Sequence, residues 1–185
     1  MEKGRLILNS DQMALTLDRL CYQLIEEFDD FSDTCIIGIQ QRGVLLAERL
    51  IQRLDQAMGV QNIEFGKLDI TFYRDDFRRR DKPLEASSTE VDFLIENKKV
   101  ILVDDVLYTG RTVSAALAAL NNYGRPAKVD LLVMVDRRFN RHLPVESTFR
   151  GVRVDSLDEA YVRVELAGSE EEDRILLFGH KNEME

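Results

Sequence analysis

Two kinds of hydrophobic pattern alternate along this chain of 185 residues. Short runs that are wholly or mostly apolar, at residues 35–39, 100–103 and 128–135, are typical of strands that are buried on both faces of a parallel sheet. The segments that instead have helical periodicity, or an Ala- and Leu-rich composition, are residues 10–28, 44–54 and 113–120. Strands that alternate with helices indicate an α/β protein with a central, mostly parallel sheet flanked by helices.

Weaker patterns lie outside these segments. Residues 5–8 predict a short edge strand, after which Asn9 or Ser10 offers an N-cap for the first helix. Residues 68–73 alternate apolar and polar side chains, which predicts a strand with one better buried face. Two further short strands are predicted, at residues 149–156 and 161–166. We expect the N-terminal strand and the C-terminal segment, about 149–180, to form a small cap (hood) over the main sheet.

Length and composition predict one globular domain over residues 1–185, because 44% of the residues are hydrophobic and 32% are charged. We expect a cytoplasmic protein, since no apolar run is long enough to span a bilayer and the N-terminus lacks a signal-peptide core. The net charge of -9 (25 minus 34) argues against a generally nucleic-acid-binding surface but leaves room for a local basic patch. Cys21 and Cys35 lack metal-site spacing and are predicted to be free, buried thiols.

Candidate chemistry is concentrated after the apolar run at residues 100–103. Asp104 and Asp105 follow it, and a small polar loop then leads into a helix. A phosphate monoester suits this loop, which offers the backbone amides of residues 108–112, two Thr hydroxyls and the helix dipole. Gly110 allows the backbone to come close to the phosphate. The acidic pair suits a vicinal diol and, through it, a divalent cation. The sequence therefore predicts a site for a ribose 5-phosphate that carries metal-bound groups.

The acidic pair alone is also compatible with a purely structural role or with a receiver domain. A buried strand can end in Asp-Asp before a helix cap for structural reasons, but the ordered combination with the Thr-Gly loop disfavours that role. A receiver domain ends its first strand in an acidic pair. That class of protein requires the pair near the start of the chain, whereas here a strand, a helix and a long polar loop precede it.

The string Val-Asp-Asp-Val-Leu-Tyr-Thr-Gly-Arg-Thr resembles the phosphoribosyl-pyrophosphate (PRPP) signature of the type I phosphoribosyltransferases. The resemblance implies that fold, with Mg²⁺ as cofactor. It also implies that Asp104 and Asp105 hold the ribose hydroxyls and contact the metal indirectly, through those hydroxyls or water. The residues that it assigns to the 5-phosphate are Tyr108, Thr109, Gly110, Arg111 and Thr112.

Two further segments match the same fold family. The turn at residues 38–43 resembles the family's pyrophosphate loop, which implies that Gln41, Arg42 and Gly43 contact diphosphate and that Arg42 is a donor to it. The polar stretch from Arg74 to about residue 90 resembles the loop that closes over PRPP and excludes water. Arg74 and the arginines at 78–80 would then neutralise the diphosphate.

Residues 37–144 together resemble the PyrR family, whose members are uracil phosphoribosyltransferases and attenuation regulators of pyrimidine operons. The resemblance implies conversion of uracil and PRPP to UMP and pyrophosphate by a homo-oligomer, a dimer or a tetramer. Asp136 and Arg137 are expected near the base and metal, and Val154 in a base site formed largely by backbone. Tyr108 stands where the 6-oxopurine enzymes of this fold have an acid, which favours a pyrimidine substrate.

The same resemblance suggests binding to the leader of a pyrimidine-operon mRNA. The candidate RNA-binding residues are Arg19, Arg138, Arg141 and Arg150. Acidic residues at 155, 158 and 159 stand in a stretch that is more basic in RNA-binding relatives, so we expect RNA binding to be weakened or lost. Two alternatives to the uracil enzyme remain: an RNA-binding attenuator with little enzymatic role, and a phosphoribosyltransferase for another base.

Overall fold

The computed structural model describes residues 4–59, 63–74, 88–156, 160–167 and 172–179. Its main sheet has five parallel strands in the order β3-β2-β4-β5-β6. These strands are β2 (Thr34–Ile39), β3 (Glu64–Leu68), β4 (Lys99–Leu107), β5 (Lys128–Arg138) and β6 (Phe149–Asp155). The described helices are α1 (Ser10–Phe28), α2 (Arg42–Met58) and α3 (Arg111–Leu120). This architecture confirms the predicted α/β fold class.

A second sheet of three antiparallel strands forms the hood, in the order β1-β8-β7. Its strands are β1 (Arg5–Leu8), β7 (Tyr161–Glu165) and β8 (Arg174–Phe178). The N-terminal strand therefore pairs with the last described strand of the chain, as the predicted cap requires. The cap prediction was wrong for residues 149–156, because β6 pairs in parallel with β5 at the edge of the main sheet.

Alternation along the strands separates two apolar cores. In β2, Ile36 packs into one core together with α1, α2 and the hood, while Cys35 and Ile37 pack into the other with α3. Successive side chains of a strand point to opposite faces, so a run that is apolar at every position supplies both cores. The first core, which we call the hood-side core, includes Val162, Val164, Leu166 and Ile175 of the hood region.

Local side-chain hydrogen bonds account for two element boundaries. Asn9 is the N-cap of α1, because its side chain accepts from the Gln12 amide and the Gln12 side chain accepts from the Asn9 amide. The predicted strand over 68–73 was wrong: β3 ends at Leu68, and Thr71–Tyr73 form a 3-10 turn. Asp69 Oδ1 accepts from both the amide and the hydroxyl of Thr71, a local bond that competes with strand pairing.

Some predicted features fall on residues outside the described ranges. Most of the expected closing loop (75–87), with the arginines at 78–80, belongs to this group, as do the acidic residues 158 and 159. The single-domain assignment of residues 1–185 also stays a prediction. No helix within the described part of the chain is long and apolar enough to cross a membrane.

Candidate active site

A cavity of about 580 Å³ lies where the carboxyl end of β4 meets the start of α3. In α/β sheets this edge is where ligands bind, because loops and helix N-termini converge there. The lining includes Arg74, Asp104, the whole predicted phosphate loop (108–112) and three apolar residues. Residues that are 38 positions apart in the chain, from Arg74 to Thr112, are therefore brought to one cavity.

The phosphate loop leads directly into α3. Gly110 is the N-cap, with φ of 90°, a left-handed conformation that favours glycine. A Cβ atom at this position would also lie 3.3 Å from the Leu143 side chain. The first amides of α3 lack intrahelical acceptors and lie at the positive end of the helix dipole. This arrangement suits an anion at the start of α3.

The two carboxylates of the acidic pair are held by local backbone bonds. Asp104 Oδ1 accepts from the Asp105 amide at 2.9 Å, and Asp105 Oδ1 accepts from the Val106 amide at 2.8 Å. Burial raises the pKa of Asp104 well above its usual range, and the adjacent Asp105 charge raises it further. Burial also raises the pKa of Asp105, although Arg42 opposes that shift.

The acidic pair fits the predicted Mg²⁺. Two desolvated carboxylates gain from a nearby cation, and carboxylate oxygens are the ligands that Mg²⁺ prefers. Within the described residues, no group of three or more His, Cys, Asp or Glu could hold a metal ion. Mg²⁺ at Asp104 and Asp105 would therefore need further ligands from the substrate or from water.

Arg42 links the acidic pair to the hood. Its Nη1 atom lies 3.7 Å from Asp105 Oδ2 and donates to the Val164 carbonyl oxygen at 3.2 Å. Gly43 follows it in a close contact with β4, where a Cβ atom would lie 2.4 Å from the Val103 carbonyl oxygen. The preceding Gln40–Gln41 peptide is cis, and the Gln41 side chain is exposed. Glycine at 43 thus allows the predicted pyrophosphate loop to approach the acidic pair.

Tyr108 and Arg137 form the other side of the site. The guanidinium carbon of Arg137 lies 3.8 Å from the centroid of the Tyr108 ring, and its Nε atom donates to Ser156 Oγ at 2.9 Å. Arg137 and Ser156 are both buried. Val154 is also buried and pairs with Arg137 across the β5–β6 ladder. The predicted base-end residues Arg137 and Val154 are therefore neighbours, beside the phosphate loop.

Comparison with known proteins identifies the family. Residues 6–168 match the phosphoribosyl transferase domain family. The bifunctional protein PyrR of Alkaliphilus metalliredigens is 41% identical over 182 residues, which cover 98% of this chain and 99% of that protein. The bifunctional protein PyrR of Caldicellulosiruptor bescii is 39% identical over 177 residues, which cover 96% of each chain. This chain belongs to the PyrR family. It is a phosphoribosyltransferase.

Solved structures agree with the PyrR family assignment at the level of the fold. A hypoxanthine phosphoribosyltransferase of Trypanosoma cruzi superposes with a TM-score of 0.70 over 97% of this chain and 98% of that one, at 13% identity. A hypoxanthine-guanine phosphoribosyltransferase of Bacillus anthracis gives a TM-score of 0.69 over 95% of this chain and 98% of that one, at 14% identity. Both confirm the phosphoribosyltransferase fold.

In this PyrR family member, Asp136 contacts the loop that follows β5. Its Oδ1 atom accepts from Arg141 Nη2 at 2.6 Å and its Oδ2 atom accepts from Ser147 Oγ at 3.1 Å. The Arg150 guanidinium lies 3.9 Å away. Sequence patterns did not point to Ser147, because a serine in a polar stretch has no local feature that marks such a contact. The role of Asp136 near base or metal stays a prediction.

The four candidate RNA-binding arginines of this PyrR family member all make intramolecular contacts. Arg19 donates to the Gly151 carbonyl oxygen at 2.6 Å and to that of Arg150 at 3.3 Å. Arg138 pairs with Asp155 at 3.4 Å. Besides their contacts with Asp136, Arg141 donates to the Tyr108 carbonyl oxygen and Arg150 to that of Ser147. These charges have protein partners on the edge formed by β5, β6 and the following loops.

Proposed function

We propose that this protein is a uracil phosphoribosyltransferase, which converts uracil and PRPP to UMP and pyrophosphate in the presence of Mg²⁺. The observation that carries the proposal is the cavity lined by Asp104, Arg74 and the 108–112 loop. A ribose 5-phosphate requires a diol-binding carboxylate and an anion-binding helix start within the length of one sugar phosphate. The similarity to PyrR proteins supports assignment to the same branch of the fold.

In the proposed reaction, a uracil ring nitrogen forms a bond to C1 of PRPP. The bond from C1 to the diphosphate oxygen breaks, its electron pair leaves with pyrophosphate, and the proton of the ring nitrogen is released to water. The transition state resembles an oxocarbenium ion, so positioning and electrostatic stabilisation dominate catalysis. Bound Mg²⁺ would supply charge neutralisation at the diphosphate.

Different residues of this chain contribute to positioning and to electrostatic stabilisation. Asp104 and Asp105 orient the ribose hydroxyls, and their negative charge favours the developing cation. Arg42, next to Asp105, donates to the leaving diphosphate once substrate competes for its guanidinium. The amides of the 108–112 loop and the start of α3 hold the 5-phosphate. Arg74, which lines the same cavity, adds positive charge near the diphosphate.

The identity of residue 108 supports a pyrimidine as the base. A purine substrate must lose or gain a proton on its imidazole ring, and an acidic side chain at this position would suit that task. Tyr108 offers a neutral ring instead, and that ring packs against Arg137. The buried Arg137 guanidinium is a hydrogen-bond donor suited to a pyrimidine carbonyl oxygen.

Pyrophosphate release tests the substrate assignment directly. The protein is incubated with PRPP, Mg²⁺ and one base at a time: uracil, orotate, hypoxanthine, guanine or adenine. We expect turnover with uracil that exceeds turnover with any other base. Turnover with a purine and none with uracil would overturn the assignment while leaving the phosphoribosyltransferase class intact.

Regulation of a pyrimidine operon by mRNA binding is the second candidate function. The naming of the PyrR relatives as bifunctional proteins favours it. Against strong RNA binding, the contacts of Arg19, Arg138, Arg141 and Arg150 already neutralise or occupy these side chains. We propose that RNA binding is weaker than in its relatives. Retention of a pyrimidine-operon leader RNA, with and without UMP over a salt series, tests this: tight, UMP-dependent retention would contradict it.

A further inference from the structure

The loop that follows β5 makes three hydrogen bonds to the phosphate loop. Arg141 Nη1 donates to the carbonyl oxygen of Tyr108. The amides of His142 and Leu143 donate to the carbonyl oxygen of Thr109, at 3.0 and 3.2 Å. Two successive carbonyl groups immediately before Gly110 are therefore held by one short segment, residues 141–143.

Holding these carbonyls also sets the direction of the next amides. In a planar trans peptide, the C=O of one residue and the N–H of the next point in opposite directions. If the carbonyl oxygens of Tyr108 and Thr109 face the 141–143 segment, the amides of Thr109 and Gly110 face away from it. Amides that point the same way form an anion-binding concavity, and both residues line the cavity.

Arg141 is the one side chain among these three contacts, and it is itself held in place. Its Nη2 atom lies 2.6 Å from Asp136 Oδ1, and the Asp136 carboxylate is buried. The guanidinium therefore bridges a carboxylate on β5 and a carbonyl of the phosphate loop. Its N–H donors lie in one plane in a fixed, forked arrangement, so they can reach both acceptors together. A lysine ammonium lacks that fork.

The backbone conformation just before Arg141 also depends on surrounding contacts. Phe139 and Asn140 have φ of 69° and 59°, so two successive non-glycine residues adopt the left-handed conformation. L-residues disfavour this conformation, and surrounding contacts must maintain it. The hydrogen bonds of residues 141–143 lie immediately C-terminal to Phe139 and Asn140 and help to maintain their conformation.

We infer that Arg141 is a positioning residue for the 5-phosphate of PRPP: it fixes the Tyr108 carbonyl group and so directs the Thr109 amide toward the phosphate. This inference rests on the proposed phosphate-binding role of residues 108–112. It gives Arg141 a task different from the RNA contact that the sequence suggested. It also accounts for the direction of Asp136, which turns toward this loop.

The test measures the binding of two ligands to the intact protein by calorimetry with Mg²⁺. PRPP contains the 5-phosphate, whereas pyrophosphate lacks it and would contact the predicted diphosphate residues, Arg42 and Arg74. For Arg141→Gln we expect the dissociation constant of PRPP to rise at least tenfold and that of pyrophosphate to stay within twofold. Arg141→Lys, which keeps a charge near Asp136, is expected to show the same selective loss. Arg125→Gln removes an exposed arginine elsewhere and should leave both constants unchanged.

Each outcome decides between distinct conclusions. If the wild type binds PRPP and the Arg141 variants bind it equally well, the positioning role is wrong and the proposed function stands. A parallel loss for PRPP and pyrophosphate would indicate general structural damage and would also overturn the inference. Should the wild type fail to bind PRPP, the proposed function falls, and the inference that rests on it falls too.

Discussion

The guanidinium carbon of Arg137 lies 3.8 Å from the centroid of the Tyr108 ring, so a buried cation covers an aromatic face beside the phosphate loop. Replacing Tyr108 with Leu removes this cation–π contact, worth about 1–2 kcal/mol when partly desolvated. If Arg137 contacts the base, KM for uracil should rise roughly 5- to 30-fold while KM for PRPP changes less.

Steady-state kinetics with each substrate varied in turn measure this effect. Tyr108→Phe keeps the aromatic ring and should retain KM for uracil within about twofold, since the ring face supplies the attraction. An unchanged KM for uracil in Tyr108→Leu would show that the stack does not support base binding.

Asp105→Ala is expected to lower kcat/KM for PRPP by at least about 100-fold, because it removes a carboxylate that orients the ribose and stabilises positive charge. The protein should remain folded, since burial raises the pKa of Asp105 and so disfavours its charged form in the fold. Circular dichroism and pyrophosphate release test both parts. Asp92→Ala removes an exposed carboxylate and serves as the control; near-normal turnover in Asp105→Ala would refute the ribose-binding role.

Gly43→Ala should disturb the site through the backbone. The added Cβ atom would lie 2.4 Å from the Val103 carbonyl oxygen, so the start of α2 or strand β4 must shift. We expect a loss of unfolding free energy of about 1–3 kcal/mol and a higher KM for PRPP. Urea unfolding and kinetics measure the two effects.

Gly66→Ala is the comparison variant for this substitution. Its Cβ atom would lie 3.0 Å from a methyl group of Val91, a side chain that can adjust. The loss of stability should therefore be smaller, and KM for PRPP should not change. Equal stability losses in the two variants would argue against a special close approach at Gly43.

Neither cysteine should react in the folded protein. Burial raises the pKa of Cys21 to about 11 and that of Cys35 to about 12, so both thiols stay protonated at pH 8. We expect less than about 10% alkylation by iodoacetamide at pH 8 over a time in which the urea-unfolded chain reacts completely. Mass spectrometry counts the modified thiols, and rapid labelling of the folded chain would contradict the buried positions.

Asp173 should stabilise the hood at neutral pH. Burial acts to raise its pKa, but hydrogen bonds from the Arg49 side chain and the Ala167 amide outweigh burial, so the pKa lies below its ordinary value. A lowered carboxyl pKa contributes stability that is fully present well above the unfolded value and is lost as pH falls through the folded value.

The corresponding experiment compares the wild type with Asp173→Asn by urea unfolding at pH 7 and pH 3. The variant should be less stable by about 1–2 kcal/mol at pH 7, and the difference should shrink at pH 3. Arg49→Met should give a similar loss at pH 7, because it removes the partner on α2. A difference that stays constant with pH would exclude the ion pair as its cause.

The predictable part of the fold and site has a local physical basis. Mostly apolar runs identified β2, β4 and β5, and helical periodicity identified α1, because burial on one or two faces leaves a pattern in neighbouring residues. The 108–112 loop could be predicted for the same reason: its amides, its glycine and the following helix are consecutive.

The features that were missed depend on contacts between distant residues. Strand β6 was assigned to the cap because an edge strand of the main sheet and a cap strand have the same alternating pattern, and only pairing with β5 separates them. Arg141 lies 33 residues from the carbonyl group of Tyr108 to which it donates. Basic residues in a polar loop have the same composition whether their partner is RNA or their own backbone.

The hood-side core has a consequence for how substrate enters. Apolar side chains of the hood, including Val164 and Ile175, belong to the same buried cluster as Leu17 of α1 and Leu50 of α2. Lifting the hood off the main sheet would expose this shared cluster to water, at about 25 cal/mol for each Å² of apolar surface. Movement of the hood away from the main sheet is therefore costly, and we expect base and nucleotide to reach the cavity beside its loops rather than beneath the hood.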